Sequence, residues 1–246
     1  MFSPIEQFDV YPMFSNPIFD YFQIPFTNSA LYIFFAFILF CSFLMFGTYK
    51  ATLVPNTWQY LVEMLFKFVF KIIEEQAGKR AYKYFPFLFV LFFFVLFINL
   101  MGQVPFGFTA TSHVIITFFV SLSVWFGCVY VGLLENGLRW FKFFVPDTIP
   151  LFILPIFIVL EMISYTIRAF SLSIRLSANM TAGHTLLHLV ATLGVKVFSS
   201  GFLLLGISFV LLIMVLMLEV AVSFLQAYVF LTLIAVYIND SLNFEH

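Results

Sequence analysis

The chain has 246 residues, 63% of them hydrophobic and 9% charged, with a formal net charge of −1. A soluble domain carries about 25% charged residues; at a mean hydropathy of +1.08 there is too little polar surface to cover a core in water, so most of this surface faces lipid. The charge gives no footprint for nucleic acid, and Cys41 and Cys128 both fall in apolar spans, where they read as small hydrophobes and not as a disulfide.

The opening MFSPIEQFDVYP holds no Lys or Arg, so it is neither a signal peptide nor an Arg-rich transit peptide. The first basic residue is Lys50. The 39 phenylalanines fit an AT-rich genome. Together these point to a chain made inside an organelle, with a bacterial inner membrane as the second setting.

The first predicted span is 31–49, with Asn28 or Ser29 as its cap. The next segment, 56–77, starts after Pro55, is capped by Asn56 or Thr57, and ends at Gly78. Its apolar residues Leu61, Leu65, Phe68 and Ile72 recur at helical spacing, while Glu63, Lys67, Lys71, Glu74 and Glu75 interrupt them. That pattern predicts an amphipathic helix in the interface and not a span. Spans follow at 85–101 and 113–134, joined by the uncharged GQVPFGFTATS, where Gly102, Pro105 and Gly107 predict a turn. A polar connection with Glu135, Arg139, Lys142 and Asp147 comes next.

Two long apolar segments complete the chain, 151–196 and 202–239, with a break near Ser199, Ser200 and Gly201. A straight helix of about forty residues is about 60 Å long, twice the hydrocarbon thickness of about 30 Å. Ordinary tilt does not hide that excess. The preferred reading is a strongly tilted helical hairpin; the other is two spans with long helical extensions. The fold class is therefore an all-α integral membrane protein, 1–246 as one membrane domain, with about five embedded helices and one interfacial helix.

Eight of the eleven basic residues fall in Lys50–Lys83 and Arg139–Lys142. Threading the spans puts both stretches on the cytoplasmic or matrix face. The N-terminus then lies outside and the C-terminus inside. Lys196 is the exception, placed at the outer interface.

From Thr148 to Asn239 the charged residues are Glu161, Arg168, Arg175, Lys196 and Glu219. A charge at the bilayer centre costs about 2.5–3.5 kcal/mol even on the lenient insertion scale, so these mark an ionisable pathway. Glu161, Arg168 and Arg175 are seven apart and form one helical stripe, with Asn179 beside Arg175. His184, nine residues beyond Arg175, faces the opposite side, and His188 follows one turn on. On the last helix Glu219, Gln226 and Tyr237 share a stripe. A hairpin turning near Ser200 pairs residues whose numbers sum to about 400. Arg175 then falls beside Gln226, and His184 within a turn of Glu219.

An imidazole and a carboxylate in one pocket suit proton transfer. Arg keeps its proton, so it serves as a fixed positive charge and not as a relay. Other readings stay open at single positions. Arg168 caps carbonyls or snorkels; His184 with His188 ligates a metal or haem; His188 is a wall residue; Glu219 is a satisfied buried acid; Gln226 and Asn179 join helices.

The stretch SLSIRLSANMTAGHTLLHL closely resembles the signature of subunit a of F-type ATP synthases, in the mitochondrial and alphaproteobacterial form. The resemblance covers most of the chain. SPIEQF, VPNTWQYLVE, NLMGQVPFGFTATSH, FVPDTIPLFILPIFIVLEMISYTIRAFS, LEVAVSFLQAYVF and YINDS all fit in order. It implies that Arg175 is the essential arginine facing a ring of c subunits, and that His184 and Glu219 are the outer half-channel pair. It further implies that Gln226 packs against the arginine, that Asn179 matches the asparagine four residues past it, and that Glu161 belongs to the inner half-channel. The c ring, the peripheral stalk, other subunits of the membrane sector, lipids and protons are the implied partners, and no cofactor or metal is expected. The implied home is the mitochondrial inner membrane. Ser177 and Ser173 depart from the family pattern, where an aromatic or apolar residue and a glycine are common, and bear on packing against the rotor.

The function expected is a proton-translocating stator without ATP chemistry of its own, since no GxxxxGK[ST] loop is present. The rivals are a self-contained proton-coupled secondary transporter, which calls for inverted repeats or paired broken helices, and a haem-holding redox subunit, which calls for His pairs on facing helices.

Overall fold

The computed structural model describes residues 9–14, 26–49, 51–104, 107–137, 140–141, 153–197 and 202–242. The opening SPIEQF, Lys50, Pro105, Arg139, Lys142, Asp147, residues 151–152 and the break at Ser199–Gly201 lie outside them, as does the Lys196 side chain.

Among the described residues the chain is all-α apart from one short antiparallel pair, β1 (Pro12–Phe14) with β2 (Phe26–Thr27). Hydropathy gives no sign of so small a pair. It runs directly into α1 (Asn28–Thr48). There the Asn28 amide oxygen accepts from the backbone N–H of Ser29 at 2.9 Å and of Tyr11 at 3.3 Å. One side chain thus starts the helix and ties it to the preceding strand.

The amphipathic segment is α2 (Thr57–Ala77). Asn56 is the cap, accepting from Thr57 N–H at 2.9 Å, and Gly78 ends the helix at φ 69°, a conformation open to glycine and strained for other residues. Its buried face is Val69, Ile72, Ile73 and Ala77, while Phe68 is exposed. The inward face is thus rotated slightly from the stripe read in the sequence. Lys67, Lys71, Glu74 and Glu75 stay outside, with Lys71 and Glu75 paired at 3.7 Å one turn apart.

A 3-10 turn, Lys79–Tyr84, leads into α3 (Phe85–Gly102). A second such turn, Ala110–Ser112, precedes α4 (Val114–Asn136). Lys83 Nζ sits 2.9 Å from Glu135 Oε1, and the Tyr84 hydroxyl donates to the same oxygen at 2.9 Å. The start of α3 and the end of α4 are therefore held together, as the charge-based threading requires. The long segments are α5 (Leu154–Val197) and α6 (Phe202–Leu242), each continuous. At 44 residues α5 has a path of about 66 Å. Neither is broken, so inclination or curvature has to absorb the length. Together, α1, α3, α4, α5 and α6 are long and apolar enough to cross a membrane.

The chain forms two compact units. The first comprises Met1–Ser42, Phe94–Ile116 and Arg175–Ala227; the second comprises Phe43–Phe93, Thr117–Ile174 and Tyr228–His246. The second has a dense apolar interior of Val69, Ile73, Leu88, Phe93, Phe230 and Leu231. Edge-to-face rings such as Phe89 on Phe93, at 4.7 Å between centroids, help to order it. The first has a polar interior. Of the fourteen buried polar residues among those described, ten belong to it, including Asn99, Gln103, Thr111, Ser177, Glu219 and Gln226.

Candidate functional site

Within the first unit α5 and α6 meet along a close seam. The Asn179 amide donates to Gln226 Oε1 at 3.2 Å. Gly183 lies against Glu219, and Gly194 against Ser208. These pairs sum to 405, 402 and 402, close to the 400 expected for an antiparallel hairpin turning near Ser200. Gly183 permits the contact: a Cβ there would stand 2.6 Å from Glu219 Oε1. Any side chain would displace the carboxylate.

The seam opens into a cavity of ≈ 220 Å³ lined by Gln103, Asn179, Gly183, His184, Leu218 and Glu219, among others. His184 and Glu219 therefore share one chamber. The His184 ring also forms a hydrogen bond with the backbone of Gly102, at the end of α3. Glu219 is only 7% exposed, and neither carboxylate oxygen has a partner among the described residues. An acid in that state is costly unless it is protonated or hydrated, and a cavity of this size has room for water beside it. The arrangement suits reversible proton binding.

Arg175 lies elsewhere on α5. It is exposed, on a helix face that also exposes Ser171, Ala178, Asn179 and Ala182. No ion pair or hydrogen bond holds its guanidinium among the described residues. Asn179, one turn on, is exposed too, yet reaches the buried Gln226. Gln226 thus takes Asn179, and not Arg175, as its partner within the chain.

The remaining predicted residues are spread out. Glu219, Gln226 and Tyr237 are all buried, so their stripe is a real inner face of α6. Tyr237 belongs to the second unit, where its ring packs on Tyr165 at 5.4 Å. Arg168, also in the second unit, approaches Asp240 at 4.0 Å. It has an acidic partner and does not merely snorkel. Glu161 and His188 are half-buried. His188 is not among the residues lining the cavity.

Ser173 and Ser177 are 1% and 2% exposed. Ser173 shares a hydrogen bond with Thr117 at 3.2 Å, and Ser177 donates to the backbone oxygen of Ser112. Both face inward, so they act on packing inside the chain.

Sequence reasoning missed Gln103, Gly183, Ser223 and Asp240. Gly183 carried a signal, a glycine beside a histidine inside a helix. Asp240 stood in the YINDS stretch. Gln103 lay in an uncharged linker, where nothing marked it.

Residues 30–239 match the family model described as ATP synthase A chain. The chain is similar to "ATP synthase subunit a" of Pelagibacter ubique, with 40% identity over 248 residues, covering 99% of this chain and 99% of the relative. It is similar to "ATP synthase subunit a" of Chondrus crispus, at 38% over 98% of this chain and 96% of the relative. The protein of that name from Brassica napus is 40% identical over 98% of this chain and 96% of its own length.

Proposed function

The chain belongs to the ATP synthase A chain family, and from that premise we propose how its residues carry protons past a rotor. It is a proton-translocating stator subunit of the membrane sector of an ATP synthase, and nothing favours a self-contained transporter. ATP chemistry belongs to other subunits of the complex.

Protons enter through the chamber of His184 and Glu219 and pass to a carboxylate on a ring of c subunits. Once neutral, that carboxylate enters lipid at low cost. After nearly a full turn it releases its proton toward Glu161, in the inner half-channel. Arg175 stands between the two half-channels, with Asn179 and Gln226 bracing the helix beside it. Because the guanidinium keeps its proton, it draws an arriving acid into its ionised form and bars a direct path. Arg168 with Asp240, His188 and Tyr237 are secondary, shaping the walls. The drive is the membrane potential, about 2.3 kcal/mol per charge per 100 mV, plus the pH difference.

One observation carries this reading: an exposed arginine with no ion pair among the described residues, on a helix face of small and polar residues, about 14 Å along the same helix from His184 of the buried His–Glu chamber. An unpaired charge on such a face calls for an anionic partner from another subunit. We read residues 1–246 as one membrane domain, bound to the c ring, a peripheral stalk and lipids. The phenylalanine load supports the mitochondrial inner membrane and organelle synthesis as its setting.

Purification from the native membrane tests the assignment. It predicts a large complex containing a c ring, and no proton transport by the isolated chain in liposomes. Transport by the chain alone would refute it.

A further inference from the structure

The end of α3 touches both members of the proton pair. Gly102 meets the His184 ring through its backbone. Gln103, the next residue, directs its amide nitrogen onto α6, donating to the backbone oxygen of Glu219 at 2.8 Å and to the Ser223 hydroxyl. Gln103 is 9% exposed and lines the chamber. Its amide oxygen, Oε1, is buried and has no partner among the described residues. A primary amide presents two donors and one acceptor. Here the donors are spent on α6 and the acceptor is left to the cavity.

We infer that Gln103 is a positioning residue of the proton-transfer site. Its NH2 group fixes the turn of α6 that carries Glu219, and its oxygen accepts a hydrogen bond from the water that passes protons between His184 and Glu219. This rests on the reading of His184 and Glu219 as the entry pair. Both jobs follow from the same orientation. The Glu219 backbone oxygen only accepts, so flipping the amide would set two acceptors against each other and lose that hydrogen bond; the Ser223 hydroxyl serves either orientation. Its oxygen therefore stays an acceptor, where an N–H at the same place could not accept a hydrogen bond from that water. His184 and Glu219 are the titratable side chains on the described chamber lining, which holds no other charged group among the described residues. Leu or Met would fill the same volume and supply neither function.

The test uses intact complex in inverted membrane vesicles, with proton flux read as passive uptake after removal of the catalytic sector, across a range of pH. Gln103→Leu keeps the volume and removes both amide functions; Gln103→Glu keeps an acceptor oxygen. Gln103→Leu is expected to lower flux about tenfold at normal complex abundance. Gln103→Glu is expected to retain flux well above the leucine variant, with its pH midpoint moved upward, because two carboxylates in one chamber hold a proton more tightly than one. Native flux with an unshifted profile in the leucine variant overturns the inference. So does equal loss in both variants with an unshifted profile, which would leave only packing. If the leucine variant does not assemble, the midpoint of the glutamate variant decides alone. Glu219→Gln is run beside them: its normal conduction would bring down the reading of the entry pair itself, while its loss alongside an unaffected Gln103→Leu would bring down the role of Gln103 only.

Discussion

The two compact units share α1, α3, α4, α5 and α6, with α2 in the second alone, yet their interiors differ. In the second, rings and aliphatic side chains fill the interior, and its ionic contacts among the described residues, Lys71 with Glu75, Lys83 with Glu135 and Arg168 with Asp240, keep partly exposed side chains. In the first, amides, hydroxyls and one carboxylate are buried, several with atoms that no described residue satisfies. Packing explains the second unit. It does not explain the first, because leaving polar groups unpaired in an apolar interior is costly. A polar interior persists in lipid when water or a moving proton has to be there.

The largest effect expected is at Arg175. Arg175→Ala should abolish ATP synthesis and respiratory growth while the complex still assembles, read by growth and by native gels. Normal respiratory growth would erase the distinction between the units. Next is the His184–Glu219 chamber. Exchanging the two residues should be milder than replacing either with alanine, because one imidazole and one carboxylate remain in the same cavity. Equal loss of proton pumping in all three variants would count against a shared chamber.

Gly183→Ala should follow, with a roughly tenfold loss of proton flux, or about 1.4 kcal/mol on the barrier. Its methyl group would collide with Glu219 Oε1. The smallest change belongs to the second unit. Arg168→Met should reduce coupled pumping only about two- to threefold, since a partly exposed pair at 4.0 Å contributes about 0–1 kcal/mol. A loss as severe as that of Arg175→Ala would show that the second unit carries essential chemistry too.

The helices were legible because a bilayer imposes length and composition together. The predicted spans 31–49, 85–101 and 113–134 became Asn28–Thr48, Phe85–Gly102 and Val114–Asn136. The hairpin register was legible because one turn position fixes every pair, as Gly183 with Glu219 shows. Partners set by side-chain direction were harder. Arg175 and Asn179 are one turn apart on α5, and the sequence could not say which of them reaches Gln226. Gln103 was hidden for a related reason: its role comes from α3 ending against α6, a contact between segments 116 residues apart. The small β1–β2 pair left no periodic trace at all.

Passive proton flux in the Arg175→Ala complex, with the catalytic sector stripped away and a potassium-diffusion potential imposed, puts the separating role of the guanidinium to the test. If the arginine keeps the two water-filled routes apart, ATP-driven pumping disappears while passive flux persists or rises. If passive flux vanishes together with pumping, Arg175 is part of the proton path, and the account fails.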